Sequence, residues 1–218
     1  YSLSKPSSSR ILVLVDQVEI EVKFFVEDLA VVRNGLIAGG ASSEGEVFES
    51  NRRYDDPTGR LQAARCLLRL RQDRRAHLTF KRPRPMKTAE CKVYDEYEVV
   101  VENFDHMHLI LNAIGLQCVQ VYEKRRETFL WGDAVICVDQ LPYGNFIEIE
   151  GSPEIIRETA RQLRLPWKRR ILTNYLHIFE VLRRELGLVY RDLTFQNMET
   201  VPPQAPHLIR RFEVADAN

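Results

Sequence analysis

The feature that most constrains this chain is a phase relation: in run after run, charged side chains alternate with apolar ones at a period of two. Successive side chains of a strand point to opposite faces, so each run has one charged and one apolar face. Glu19, Glu21 and Lys23 alternate with Ile20 and Val22; Arg69 and Arg71 with Leu68 and Leu70; Thr79 and Lys81 flank Phe80. Further on, Glu96 and Glu98 flank Tyr97, Lys124 and Arg126 share a face, Asp139 follows Val138, and Glu148 and Glu150 alternate with Ile147 and Ile149. A single such strand is most simply the solvated side of an ordinary sheet. Seven in phase, several with paired charges, predict a sheet closed into a barrel, charged face inward and apolar face covered by helices.

Around these runs the chain repeats one plan. A strand over Glu19–Phe24 leads into a helix over Asp28–Ile37 that Gly39 and Gly40 stop, then strands over Glu46–Tyr54, Ala64–Arg71 and His77–Arg82. The second half opens in the same way, with Glu96–Val99, a helix over His106–Ile114 stopped by Gly115, and strands over Gln117–Arg126, Ala134–Gln140 and Asn145–Glu150. Two β-α-β-β-β units result. Ser152-Pro153-Glu154 starts a helix running to about Leu163, and another is expected over Asn174–Leu186. Residues 1–17 read as a flexible leader, 18–190 as one tunnel domain with C-terminal helices, and 191–218, with Pro202-Pro203-Gln204-Ala205-Pro206, as an irregular tail.

A barrel lumen holding this many charges must be wet and must bind ions, because unpaired charges are not stable in a dry interior. Carboxylates converging from several strands suit a hard divalent cation, Mg²⁺ or Mn²⁺, and Arg and Lys suit the oxygens of a polyanion. Charge outside the lumen points to no large partner. The 31 Lys and Arg balance 31 Asp and Glu, so the basic excess that drives nucleic-acid binding is absent. The longest early apolar run, Ile11–Val15, is too short for a signal core or membrane span. The four scattered cysteines show neither a metal nor a disulfide spacing. A cytoplasmic protein, monomer or homodimer, acting on a small molecule is expected.

Glu19-x-Glu21-x-Lys23 is the E-x-E-x-K signature of the CYTH superfamily, the triphosphate tunnel metalloenzymes, and further stretches resemble that family in order: Leu68–Arg71, Leu78–Lys81, Glu96–Glu98, Glu123–Thr128, Val138–Leu141 and Gly144–Glu150. The resemblance spans about residues 18–151. It implies an antiparallel eight-stranded β-barrel of α+β class. It also implies that Glu19, Glu21, Glu98, Asp139, Glu148 and Glu150 hold metal or orient water. Lys23, Arg69, Arg71, Lys81, Lys124 and Arg126 would hold the triphosphate, with Glu19, Glu21 and Lys23 as the catalytic set; Glu96 shares their phase. The implied activity is metal-dependent hydrolysis of inorganic triphosphate, thiamine triphosphate or a nucleoside triphosphate. Class IV adenylyl cyclisation of ATP to cyclic AMP and pyrophosphate, and non-catalytic polyphosphate or nucleotide binding, are the alternatives. Bland readings go to the rest: His106 and His108 point apart, Trp167–Arg170 is a solvated basic linker, Tyr175 packs, and Arg191–Phe195 has no reading.

Overall fold

The computed structural model describes residues 18–84 and 90–214; the expected leader lies outside the described residues. The first half runs β1 (Val18–Val26), α1 (Leu29–Ala38), β2 (Ser42–Asp55), α2 (Arg60–Ala63), β3 (Leu67–Gln72) and β4 (Ala76–Pro83). The second runs β5 (Lys92–Val101), α3 (Phe104–Ala113), β6 (Gln117–Trp131), β7 (Ala134–Leu141) and β8 (Gly144–Glu150). Then follow α4 (Pro153–Gln162), the short β9 (Arg170–Ile171), α5 (Tyr175–Glu185) and α6 (Ala205–Arg210).

All strand pairings are antiparallel, in the order β5-β4-β3-β2-β6-β7-β8-β1, and a β1–β5 pairing closes the ring. The two repeats exchange strands. β1 lies beside β8, the last strand of the second repeat, and β5 lies beside β4, the last of the first. Neither repeat can therefore close alone. β5 covers one edge of β1 over Val18–Glu21, and β9 takes over at Lys23 and Phe24. The long β2–β6 ladder shifts register between Ser43 and Glu46 and again between Arg53 and Tyr54, and such irregularities bend a strand as closure requires. An eight-stranded barrel has an interior just wide enough for side chains or one small ligand.

The outward residues Val22, Phe24, Ile136, Val138, Ile147 and Ile149 are buried beneath Leu29, Val32 and Leu36 of α1 and Ile156 and Ala160 of α4. The helices begin where local chemistry allows. Asp28, Asn103, Ser152 and Asn174 each accept a hydrogen bond from a first-turn backbone N–H. Asn103 rather than Asp105 caps α3, so that helix starts two residues before the expected His106. No helix among the described residues is long and apolar enough to cross a membrane.

Three stretches depart from expectation. The strand expected from Ala64 begins at Leu67, because the buried Asp55 carboxylate accepts from Leu61 N (2.8 Å) and Gln62 N (2.9 Å) and nucleates α2 instead. The tail expected to be irregular contains α6 and joins the core: Leu193, Met198, Ala205 and Ile209 are buried with Ile178, Phe179 and Leu182 of α5. Leu193 also bridges to Tyr122 of β6, which accounts for the Arg191–Phe195 segment. Isolated apolar residues spaced without a period give no pattern from which this packing could be read. Trp167–Arg170 is only partly the solvated linker expected: Lys168 is exposed, but Arg170 is buried, and the guanidinium groups of Arg157 and Arg170 lie 4.5 and 4.9 Å from the Trp167 ring centroid.

Candidate metal and anion site in the lumen

The inward face encloses a cavity of ≈ 1210 Å³ lined by Glu19, Glu21, Glu148, Glu150 and all six expected cations, Lys23, Arg69, Arg71, Lys81, Lys124 and Arg126. Antiparallel register builds its acidic wall: Glu21 stands opposite Glu150, and Lys23 opposite Glu148. As a result Glu19, Glu21, Glu148 and Glu150 each offer a carboxylate oxygen within 4.8 Å of the others. Lysines partly neutralise them. Lys23 Nζ lies 2.5 Å from Glu21 and 3.2 Å from Glu148, Lys92 Nζ donates to Glu21 at 3.1 Å, and Lys81 Nζ donates to Glu19 at 2.6 Å while pairing with Glu96 at 2.9 Å.

Ring order places β2 and β3 across the lumen from β1 and β8, and there the charge is positive. Buried Glu49 is ringed by Lys124 (3.5 Å), Arg71 (3.8 Å) and Arg126 (4.0 Å). Arg69 donates to Thr79 Oγ1 (3.1 Å), and Arg69 and Arg71 lie 3.5 and 3.4 Å from Glu98. Burial raises the Glu49 carboxyl, but Lys124, Arg126, Arg69 and Arg71 outweigh it and hold its pKa at about 2. Likewise Lys23 and Arg126 overcome the burial of Glu148 and keep it well below the usual carboxylate range.

At Glu19 and Glu150 the balance is reversed. Burial raises Glu19 above its ordinary value even against Lys81. Burial, reinforced by Glu148, Glu19 and Glu21, carries Glu150 to about 8 despite Arg126. The local lysines therefore do not offset the burial of Glu19 and Glu150, and the wall's donor set, four carboxylates with no sulfur or imidazole, fits a hard divalent cation. The pH dependence has a definite sign. Between about pH 4.5, where an unfolded Glu titrates, and pH 8, the metal-free native state holds the extra Glu150 proton, so its stability falls as pH rises through that window. In EDTA, the urea midpoint of the wild type is expected to be lower at pH 8.5 than at pH 6. Glu150→Gln should show a markedly smaller drop, and an identical drop would contradict the assignment. A metal bound at Glu150 would displace that proton, so Mn²⁺ should then stabilise the wild type more at the higher pH.

Two expected metal ligands stand elsewhere. Glu98 accepts from Thr79 Oγ1 at 2.7 Å and faces Arg69, Arg71 and His77 on the β4–β5 wall. Asp139 is fully buried and already engaged by three side chains. Arg126 donates to both of its oxygens at 2.6 Å, Lys124 lies at 3.4 Å, and the Tyr175 hydroxyl donates to Oδ2 at 2.9 Å. Sequence reasoning passed over Glu49, Arg53, His77, Lys92 and Tyr122, all of which line the lumen. Glu49 and Arg53 share the phase of a strand that had been located, but Ser50 and Arg52 make its other face polar too and mask the alternation.

Residues 17–170 match the CYTH domain. The chain belongs to the CYTH family. No curated protein matches it, but solved structures share the CYTH fold. PH1012 from Pyrococcus horikoshii OT3 is 23% identical, with 72% of this chain and 96% of that one covered at a TM-score of 0.61. A Vibrio parahaemolyticus protein provisionally named an adenylate cyclase is 21% identical, with 76% and 99% covered at 0.67. HpAC1 from Hippeastrum, also provisionally named an adenylyl cyclase and described as having a dominant triphosphatase activity, is 16% identical, with 75% and 95% covered at 0.56. At these identities the likeness concerns the CYTH barrel itself.

Proposed function

We propose that this CYTH barrel is a divalent-metal-dependent phosphohydrolase acting on a triphosphate: inorganic triphosphate, thiamine triphosphate or a nucleoside triphosphate. The observation that carries this reading is one lumen with four crowded carboxylates on the β1–β8 wall and Arg69, Arg71 and Lys124 on the walls facing it. The dominant triphosphatase activity described for the Hippeastrum protein supports hydrolysis over cyclisation.

Glu19, Glu21, Glu148 and Glu150 would hold Mg²⁺ or Mn²⁺, which when bound supplies positive charge to phosphate oxygens and to an attacking water. In the free protein Lys23 and Lys81 neutralise those acids. With those acids engaged by metal, both lysines would be free to meet phosphate oxygens together with Arg69, Arg71, Lys124 and Arg126. Glu49, Asp139 and Glu98 fix the directions of these cations, so the anion site is preorganised. Water oxygen would bond the terminal phosphorus as the bridging P–O bond to that phosphorus breaks; inorganic triphosphate and water give orthophosphate and pyrophosphate, one water proton ending on each product. Positioning and charge neutralisation account for the chemistry, as is general for phosphoryl transfer.

The test is one incubation series with inorganic triphosphate, thiamine triphosphate and ATP, each with Mg²⁺ or Mn²⁺, resolving phosphate, pyrophosphate and cyclic AMP together. Metal-dependent phosphate without cyclic AMP is expected. Cyclic AMP with stoichiometric pyrophosphate would make the protein a cyclase, and binding without any product would make it a binding module.

A further inference from the structure

The matched CYTH domain ends at residue 170, yet the lumen is lined beyond it by Asn174, Tyr175, His177 and Glu180 of the α5 region. At this end of the barrel the inward face changes from charged to apolar, with Phe25, Leu141 and Phe146 buried against α5. Tyr175, the first residue of α5, stands at the boundary. Its ring packs edge-on against Phe146 (5.1 Å between centroids), and its backbone carbonyl accepts from the buried Tyr143 hydroxyl at 2.9 Å. Its other contacts reach into the site. Lys23 Nζ lies 5.1 Å and Lys124 Nζ 5.8 Å from the ring centroid, while its hydroxyl donates to Asp139, the carboxylate that grips Arg126.

We propose that Tyr175 is a positioning residue for the triphosphate: its ring holds Lys23 and Lys124, and its hydroxyl orients Asp139, so the C-terminal region completes the anion site. The contacts favour this over packing alone. A buried apolar anchor at this place needs neither an ammonium group over its face nor a charged acceptor for its hydroxyl; Phe would fill the same volume. Both lysines are within the ≈ 6 Å at which an ammonium is attracted by an aromatic face. Lys23 and Lys124 come from strands of different repeats, so a single ring sets their separation. This inference rests on the triphosphatase reading for its readout.

The experiment measures kcat and KM for inorganic triphosphate with Mn²⁺ in full-length Tyr175→Phe and Tyr175→Leu, alongside the melting temperature without ligand. Tyr175→Leu is expected to raise KM about tenfold or more with kcat changed less than about threefold, and Tyr175→Phe, which keeps the ring under the lysines but loses the hydroxyl bond to Asp139, to raise KM by a clearly smaller, intermediate factor. Equal effects of the two variants, or a wild-type KM in Tyr175→Leu, would overturn the proposal. Should Tyr175→Leu fail to fold, mono-, tri- and pentafluorophenylalanine at position 175 keep the shape and progressively remove the negative charge of the ring face. KM should then climb along the series, and a flat series would overturn the proposal. If the wild type binds inorganic triphosphate without hydrolysing it, the triphosphatase reading fails by itself. The same variants compared by calorimetric Kd still decide the role of Tyr175.

Discussion

Glu19→Gln/Glu21→Gln is expected to lose metal-dependent turnover by about a thousandfold or more while its barrel stays folded. A bound divalent ion contributes several kcal/mol of charge stabilisation in phosphoryl transfer, and about 1.4 kcal/mol is a factor of ten in rate. Gln has nearly the same shape as Glu, and Glu19 is already reluctant to ionise because of its burial and the nearby Glu96 and Glu148. Removing charge there relieves repulsion in the metal-free protein. The pairs of Glu19 with Lys81 and of Glu21 with Lys23 and Lys92 are weakened, so the melting temperature should move by only a few degrees. Turnover with saturating Mn²⁺, read beside circular dichroism, checks both halves. Unimpaired turnover in a folded variant would remove the proposed metal wall.

Asp139→Ala should behave in the opposite manner, damaging the fold more than metal binding. It leaves the Arg126 guanidinium and the Tyr175 hydroxyl without their shared acceptor in a fully buried place. Removing one partner of a buried ion pair costs about 3–5 kcal/mol, which for a chain of this size corresponds to a melting temperature lower by roughly 10 °C. KM for triphosphate should rise as Arg126 and Lys124 lose their orientation. Mn²⁺ affinity, measured by calorimetry below the melting transition, should change by less than about fivefold. Loss of Mn²⁺ binding with unchanged stability would instead make Asp139 a metal ligand, as the family resemblance implies.

Most of the barrel was legible because its alternation is strict. Glu19-x-Glu21-x-Lys23 and Glu148-x-Glu150 fix which face of β1 and β8 is inward, and the pattern locates both strands. Their pairing, which sets Glu21 beside Glu150, was not legible, because register between strands more than a hundred residues apart leaves no local trace. The exchange of β1 and β5 between repeats was hidden for the same reason. Residue type could not separate Asp139 from the four crowded glutamates either. Asp139, like Glu148, lies on the inward face, and only the three-dimensional placement of Arg126 and Tyr175 shows its oxygens to be occupied. Tyr175 looked like a packing residue, and it does pack on Phe146. Its second set of contacts arises because α5 folds back over the barrel end. Asp55 shows the limit at short range: the Asp56–Gly59 turn was readable, but not that the preceding carboxylate would cap a helix after it.

The central claim is that the acidic wall and the cation wall bind metal and triphosphate as one unit, with Lys23 and Lys81 passing from carboxylate to phosphate. Isothermal titration calorimetry of inorganic triphosphate into the wild-type protein and Glu19→Gln/Glu21→Gln, each in EDTA and in saturating Mg²⁺, tests it most directly. Coupling between sites commonly amounts to roughly 5–150-fold in affinity. The wild type should therefore bind triphosphate at least about tenfold more tightly with Mg²⁺, after correction for metal chelation by free triphosphate, and the variant should show little or no such gain. Equal wild-type affinity in EDTA and Mg²⁺, or an undiminished gain in the variant, would contradict the account.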